Sequence, residues 1–138
     1  LDDAGAEVLA GATWTVSSQS DRTGIRLSGP PVSFAARARD KAPENGPDPT
    51  NVINTGYAIG GVNLCGDTPI ILPVDGPSQG GFITPLVVVS AALWKVGQLR
   101  PNRKLVFRRT SLADAIALRR ALDRRIADSA LIVAGPAR

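Results

Sequence analysis

The chain of 138 residues contains no histidine and no methionine, and it has a single cysteine, Cys65. Without an imidazole, neither a Ser-His-Asp triad nor a Cys-His pair can form within the chain, and a histidine-ligated zinc site is excluded. One thiol allows no internal disulfide and no cysteine-ligated metal, and it suits a reducing compartment. We therefore expect a cytoplasmic protein without a metal site, whose chemistry uses carboxylates, amides, hydroxyls, backbone N–H groups or a cofactor held elsewhere.

Long apolar runs and aromatic residues are also scarce. No run of about 18 apolar residues is present, so we expect no membrane span. The charge is uneven, since residues 1–94 carry five cations and nine anions, and residues 95–138 carry eleven cations and three anions. A basic segment can bind nucleic acid, but no aromatic residue follows Phe107 to stack on bases. We therefore expect no nucleic-acid partner, and a basic face that is solvated or docks onto an acidic partner.

The apolar content of 43% is sufficient for a core, and the length fits one domain over residues 1–138. Short β-prone segments between glycine and proline turns predict a mainly β fold, with strands at 12–17, 24–29, 57–64, 69–74, 86–89 and 104–108. The strand at 86–89 is continuously apolar, which predicts burial on both faces. No space remains for crossover helices, so an antiparallel β-barrel is favoured over a parallel α/β sheet.

Two further segments complete the predicted architecture. Residues 35–50 contain three prolines and no large aliphatic side chain, which predicts a flexible loop within the domain. Helical signal is confined to the end of the chain. Ser111 and Asp114 form a capping-box pattern, and the helix is expected to run to about Ala130, with ion pairs Arg119–Asp123 and Arg124–Asp128.

Residues 51–82 are rich in glycine, at positions 56, 60, 61, 66, 76, 80 and 81. Within this segment, Asp75–Gly81 follows a predicted strand and could form a turn that binds an anion or an amide through backbone N–H groups. The alternative, a hairpin with an Asx turn at Asp75, is equally compatible with the residues.

Three segments, in this order, resemble one known family. Residues 20–29 match its pattern Ser-Asp-Arg-x-Gly-x-Arg-Leu-x-Gly, and residues 93–101 match Leu-Trp-Lys-x-Gly-Gln-x-x-Pro. Between them, residues 57–82 match Tyr-Ala-Ile-Gly…Asn…Gly-Asp-x-Pro-Ile-Ile…Asp-Gly-Pro-Ser-x-Gly-Gly-Phe. The sequence thus resembles the allophanate hydrolase subunit 2 family, which includes a 5-oxoprolinase subunit and KipA-type proteins. Within it, the carboxyltransferase domain of urea amidolyase and urea carboxylase is most similar.

The resemblance implies a cyclophilin-like β-barrel with one C-terminal helix, and a chain that covers about the C-terminal half of the carboxyltransferase domain. It implies a ligase that moves a carboxyl group from carboxybiotin to urea, forming allophanate, in ATP-dependent urea degradation. Biotin would be carried on another domain, and ATP would be used by a separate biotin carboxylase domain. The expected partners are the remaining half of the domain, a subunit-1-like barrel, the biotin carrier domain and urea.

The same resemblance implies the candidate site residues. Their side chains and backbone can hold neutral, amide-like groups and steady a developing oxyanion. We expect catalytic roles for Asp75, Ser78 and Asn63, and binding of substrate or biotin by Tyr57, Asp67, Gly80, Gly81, Asn51 and Lys95.

Departures from the family pattern leave a second hypothesis open. Relatives of the urea-carboxylase type read Asn-Ile-His-Asp-x-x-Tyr, whereas this chain has Ile53 and Asn54 at the His and Asp positions. Loss of an imidazole and a carboxylate removes proton transfer and charge. The alternative is therefore a non-catalytic or regulatory binding module of the KipA or 5-oxoprolinase-subunit type.

Simple structural roles are expected for the remaining conspicuous residues. Asp21 and Arg22 are predicted to form an ion pair with each other in a turn. Trp14 and Trp94 are expected in the core, and Cys65 is expected to be a buried or idle thiol.

Overall fold

The structure is a computed structural model that describes residues 1–127. Within this range lie three helices: α1 (Asp3–Gly11), α2 (Leu93–Val96) and α3 (Leu112–Ala127). The strands are β1 (Trp14–Val16), β2 (Ile25–Ser28), β3 (Asn51–Gly56), β4 (Gly61–Cys65), β5 (Thr68–Ile71), β6 (Gln79–Phe82), β7 (Leu86–Val87) and β8 (Lys104–Leu105).

Six strands form one sheet in the order β7-β4-β5-β2-β1-β8, and β3 and β6 form a separate two-stranded ribbon. Every strand pair in the described residues is antiparallel. The sheet curls into half of a barrel, which confirms the mainly β prediction and the antiparallel arrangement. The register places Val16 opposite Leu27 and Val62 opposite Ile71.

The core fills the inner face of the curled sheet. In β1, Trp14 and Val16 are buried while Thr15 between them is not, as the two-residue period of a strand requires. Trp14 is completely buried, and its indole Nε1 donates a hydrogen bond to the Leu9 carbonyl at 3.2 Å. The core role predicted for Trp14 is confirmed.

Helix α1 was not expected, because helical signal was predicted only at the end of the chain. It begins after Asp2, whose carboxylate accepts a hydrogen bond from the Gly5 N–H at 2.7 Å. The helix buries Leu9 and Ala10. A Cβ on Gly5 would lie 2.1 Å from the Ser33 carbonyl oxygen, so glycine allows this close approach. Packing of the helix, more than its propensity, explains its presence.

Several strand predictions change in extent. The segment at 57–64 becomes a loop followed by β4, and two strands, β3 and β6, were not predicted. The predicted strand at 86–89 narrows to β7, and the one at 104–108 narrows to β8. On β7, which is an edge strand, the side chain of Val87 is exposed, so the prediction of burial on both faces is wrong.

Two more expectations concern the end of the described chain. Helix α3 follows Ser111, whose hydroxyl accepts from the Asp114 N–H at 3.1 Å, as predicted. Arg119 and Asp123 form the predicted ion pair at 2.8 Å. The predicted helix end at Ala130 and the partner Asp128 lie outside the described residues. None of the helices in residues 1–127 is long and apolar enough to cross a bilayer.

The segment 35–50 is a loop, as predicted, and contains two short 3-10 turns, Ala36–Ala38 and Pro43–Asn45. Lys41 fastens it to the start of β3, because its Nζ donates to the carbonyls of Asp48 and Asn51. The flexibility of this loop remains a prediction.

Candidate functional site

The loop at residues 20–24 is built around the carboxylate of Asp21. Its Oδ1 accepts hydrogen bonds from the Thr23 N–H at 2.8 Å, the Thr23 hydroxyl at 2.6 Å and the Gly24 N–H at 3.1 Å. The Thr23 hydroxyl is the main cause that lowers the pKa of Asp21. Since Asp21 holds the turn, its neighbour Arg22 is left at the tip, and the predicted Asp21–Arg22 ion pair is wrong.

Arg22 pairs instead with Asp75, which follows β5. Arg22 Nε lies 3.8 Å from Asp75 Oδ2, and both side chains are largely exposed. A Cβ on Gly76 would lie 3.1 Å from the Thr23 carbonyl oxygen and 3.0 Å from the Pro73 carbonyl oxygen. Glycine at position 76 therefore lets the two loops pack closely and brings the guanidinium beside the carboxylate.

This ion pair lies at the rim of a cavity of about 480 Å³. All three sequence segments that resemble the family contribute to its lining. Its polar lining comes from Ser20, Asp21, Arg22 and Asp75, and its apolar lining comes from Val16, Ile25, Ile59, Pro73, Val74, Leu93, Val96, Leu99 and Pro101, with Gly97. Segments that are distant in sequence are thus brought together around one predominantly apolar cavity with a charged rim.

A second group of candidate residues surrounds β6. The Tyr57 hydroxyl accepts a hydrogen bond from the Phe82 N–H at 2.7 Å, and the Tyr57 N–H donates to the Ser78 carbonyl at 2.8 Å. A Cβ on Gly80 would lie 2.8 Å from the Tyr57 hydroxyl, so the ring covers this glycine. Gly80 and Gly81 are strand residues, and Gly80 pairs with Thr55. The part of the predicted binding turn at Gln79–Gly81 is therefore strand.

Asn63 and Asn51 belong to the neighbouring strands. Asn63, in β4, is 4% exposed, and its Oδ1 accepts from the Thr84 hydroxyl at 2.7 Å. Asn51, in β3, lies opposite Phe82 of β6. The ribbon and β4 thus bring together five candidate residues: Asn51, Tyr57, Asn63, Gly80 and Gly81. We call these five residues the ribbon cluster.

Of the remaining candidates, Ser78 lies beside the ribbon cluster, because its carbonyl accepts the hydrogen bond from the Tyr57 N–H. Asp67 is exposed in the turn between β4 and β5, and Ser78 is exposed just before β6. Lys95 Nζ lies 5.7 Å from the centre of the Trp94 ring. Trp94 is 60% exposed, so the prediction that it lies in the core is wrong. Its helix, α2, turns Val96 into the core instead. Cys65 is a half-buried free thiol.

Sequence reasoning assigned Asp75 to the site but missed Arg22. The signal was available, since an aspartate followed two residues later by threonine favours an Asx turn with the intervening residue at its tip. What the sequence does not show is that this tip meets the turn at 73–76.

Comparison with known proteins shows the family of this chain. The profile of the family "Carboxyltransferase domain, subdomain A and B" matches residues 1–109. The chain therefore belongs to the carboxyltransferase domain family, subdomains A and B.

Individual relatives agree with this family. A protein of Emericella nidulans whose name contains the words urea carboxylase is 45% identical over 122 residues, which are 88% of this chain and 10% of the relative. The crystal structure of the Kluyveromyces lactis urea carboxylase is similar, with a TM-score of 0.81, 38% identity, and coverage of 88% of this chain and 10% of that one.

A 5-oxoprolinase subunit of Haemophilus influenzae is 30% identical over 108 residues, which are 78% of this chain and 31% of the relative. The chain thus spans about a tenth of the length of the urea carboxylase relatives that it matches.

Proposed function

We propose that the protein carrying this sequence is a biotin-dependent carboxyltransferase of urea degradation, which transfers a carboxyl group to urea and forms allophanate. The observation that carries the proposal is the convergence of the three family segments on one cavity, with Arg22 and Asp75 at 3.8 Å on its rim. Membership of the carboxyltransferase domain family and the likeness to urea carboxylases support it.

The chemistry requires groups that bind neutral amides and stabilise charge on oxygen, which a site without histidine can provide. Asp75 can accept a hydrogen bond from an amide N–H, and the Ser78 hydroxyl and the Asn63 amide can donate to a carbonyl oxygen. The ribbon cluster adds the Tyr57 hydroxyl. Biotin supplies the carboxyl group when its carrier domain docks, and ATP is used by a separate biotin carboxylase domain.

The rest of the site comes from other parts of the proposed protein. We propose the remaining half of the carboxyltransferase domain, a subunit-1-like barrel and the biotin carrier as partners, in the cytoplasm. The two positions that depart from the family pattern fit an interface with such a partner, because Ile53 is 72% exposed and Asn54 is also exposed on β3.

A second candidate function is a binding module without catalysis, of the 5-oxoprolinase-subunit type. The absence of the imidazole and the carboxylate at Ile53 and Asn54 favours it, and a 5-oxoprolinase subunit is among the relatives of the chain. In this case Asp75 has no catalytic role, and the arginines of α3 contribute to association.

The deciding experiment is an assay of ATP-dependent phosphate release by the full-length biotinylated protein, with urea, 5-oxoproline and acetamide as acceptors. Stimulation by urea supports carboxyl transfer to urea. No stimulation by urea, from a folded protein whose biotin becomes carboxylated, overturns it, and stimulation by 5-oxoproline alone identifies a different acceptor.

The Asp75→Asn variant tests the site in the same assay. We expect urea-stimulated release to fall about tenfold or more, since the charged acceptor is lost. The matched control is Asp40→Asn, in the exposed loop at 35–50, which should retain native activity. Equal activity of the two variants, together with weakened complex formation after Arg120→Gln and Arg124→Gln, would instead favour the binding module.

A further inference from the structure

We propose that Ser111 is a phosphorylation site for a serine/threonine kinase that selects arginines on the N-terminal side of its target. This modification is independent of the reaction that the protein catalyses. Arg108 and Arg109 lie three and two residues before Ser111, and Leu112 follows it directly. No other serine or threonine in the sequence has arginines at both of these positions.

The residues around Ser111 present a charge pattern that a kinase can recognise. Guanidinium groups bind carboxylates through paired, charge-assisted hydrogen bonds, and kinases select their substrates by such charge patterns. In an extended chain, the Cα atoms of Arg109 and Arg108 lie about 7 and 10 Å before that of Ser111. This spacing suits a cleft that places acidic side chains beside the two arginines and a phosphoryl donor beside the hydroxyl. Leu112 adds an apolar side chain on the other side of the target.

The segment is accessible in the structure. Every residue from Arg108 to Leu112 is exposed, and Leu112 is 78% exposed. Residues 106–111 form neither helix nor strand, so no strand pairing has to break when this segment extends in a kinase cleft. Ser28 differs in this respect, because it follows Arg26 by two residues but lies within β2.

The contacts of Ser111 and Arg109 can be broken at low cost. The Ser111 hydroxyl donates to Asp114 Oδ2 at 2.7 Å and accepts from the Asp114 N–H at 3.1 Å, both within the first turn of α3. Arg109 lies 2.8 Å from Glu7 in an ion pair whose side chains are both more than half exposed, and such pairs contribute little to stability. Since α3 contains no fully buried residue, its first turn can open locally to admit a kinase.

The reaction is phosphoryl transfer from ATP. Ser111 Oγ forms a bond to the γ-phosphorus, the bond from that phosphorus to the oxygen shared with the β-phosphate breaks, and ADP leaves. The hydroxyl proton passes to a carboxylate base of the kinase. Residues 108–127 contain six arginines and two aspartates and so carry a net charge of +4. A phosphoserine adds a charge of about −1.5 to −2 at pH 7, which would remove up to half of the net positive charge of this segment.

The modification is tested on the full-length protein with ATP and the catalytic subunit of cyclic-AMP-dependent protein kinase, an arginine-directed enzyme. We expect phosphate on Ser111, located by mass spectrometry of the proteolytic peptide that contains it. A synthetic peptide of residues 104–116 is the second substrate. Phosphate on the peptide but not on Ser111 of the protein would overturn the proposal by showing that the fold hides the segment. Absence of phosphate from both would overturn it by showing that the charge pattern is not recognised.

The role of the two arginines is tested with a matched pair of double variants. Arg108→Gln/Arg109→Gln should lower kcat/KM for phosphorylation of Ser111 about tenfold or more. Arg103→Gln/Lys104→Gln removes the same charge from two adjacent exposed residues outside the segment, and it should leave kcat/KM unchanged. Circular dichroism verifies the fold of each variant. Equal rates for the two double variants would overturn recognition through Arg108 and Arg109.

The target hydroxyl is tested with Ser111→Asn and Thr110→Val. Asparagine is as favourable as serine at the start of a helix, so Ser111→Asn should keep the fold of α3 while removing the phosphate from this peptide. Thr110→Val removes the neighbouring hydroxyl and should leave the phosphorylation of Ser111 unchanged. Phosphate that persists on the same peptide in Ser111→Asn, or that is lost in Thr110→Val alone, would overturn the assignment to Ser111.

Discussion

Three aspartates serve as acceptors that hold the ends of local elements in place. The hydroxyls of Ser33, Thr23 and Thr50 are the main causes that lower the pKa of Asp2, Asp21 and Asp48, respectively. In each case a backbone N–H two or three residues later adds to the effect, from Gly5, Thr23 and Thr50. The folded chain therefore stabilises the charged form of these three carboxyl groups.

The pH dependence of stability follows from the lowered pKa values of these three aspartates. A folded-state pKa below the unfolded value, which is about 3.9, contributes stability above that value and loses it as the pH falls through the folded value. We expect the melting temperature to fall steadily below about pH 4. The double variant Asp21→Asn/Asp48→Asn should have a lower melting temperature than the native chain at pH 6. Its melting temperature should then fall less than that of the native chain as the pH is lowered.

The measurement is thermal unfolding followed by circular dichroism between pH 6 and pH 2. Asp40→Asn is the control, because the Asp40 carboxylate accepts no hydrogen bond from residues 1–127, and its melting curve should follow that of the native chain. Parallel pH curves for the double variant and the native chain would contradict the prediction.

Gly76 provides a second prediction for a single residue. A Cβ there would meet Thr23 and Pro73 carbonyl oxygens at 3.1 and 3.0 Å, so Gly76→Ala should force the two loops apart and lower the free energy of unfolding, measured by guanidinium unfolding, by about 1 kcal/mol. Gly56→Ala is matched, because nothing lies within 4 Å of its Cβ position. A native free energy of unfolding for Gly76→Ala would show that the close loop contact is not required.

Among the elements, the β3–β6 ribbon depends on tertiary contacts more than on its own residues. Its strands contain asparagines and glycines, which are unfavourable in strands, and this explains why β3 and β6 were not predicted. The ribbon is attached instead by Tyr57 and by hydrogen bonds of Ile83 with Thr50 and Leu64, at 2.9 and 3.1 Å. The strands of the main sheet contain more β-branched residues, which favour strands by themselves. These strands were therefore predicted.

Tyr57→Phe tests this attachment. The change leaves the Phe82 N–H without its acceptor, so we expect the free energy of unfolding to fall by about 1–2 kcal/mol. Guanidinium unfolding measures it, with Phe34→Leu as a control for a half-buried aromatic residue outside the ribbon. An unchanged free energy for Tyr57→Phe would mean that water replaces the lost acceptor.

At the scale of the molecule, the sequence predicted the β class, the antiparallel pairing and the C-terminal helix, because these follow from local patterns. The cavity depends on contacts between loops far apart in sequence, and no local pattern shows that Arg22 meets Asp75. The exposure of Trp94 on α2 was missed for the same reason.

The two long helices should contribute unequally to stability. Helix α1 buries Leu9 completely, whereas α3 contains no fully buried residue. Leu9→Ala should therefore lower the free energy of unfolding by about 2–5 kcal/mol. Truncation after Thr110 should change it by less than about 1 kcal/mol. Guanidinium unfolding of both forms measures this difference. A larger loss of free energy of unfolding on truncation than in Leu9→Ala would mean that α3 contributes more than α1.

The sizes of the outer strands have a consequence for self-association. The sheet ends at β7 and β8, which offer only two residues each, and β3 has a register shift between Asn51 and Thr55. Very short or irregular outer strands are poor templates for backbone pairing with another copy. Although the half-barrel is open at both sides, growth of a continuous intermolecular sheet, and with it fibril formation, is disfavoured by the geometry of its borders.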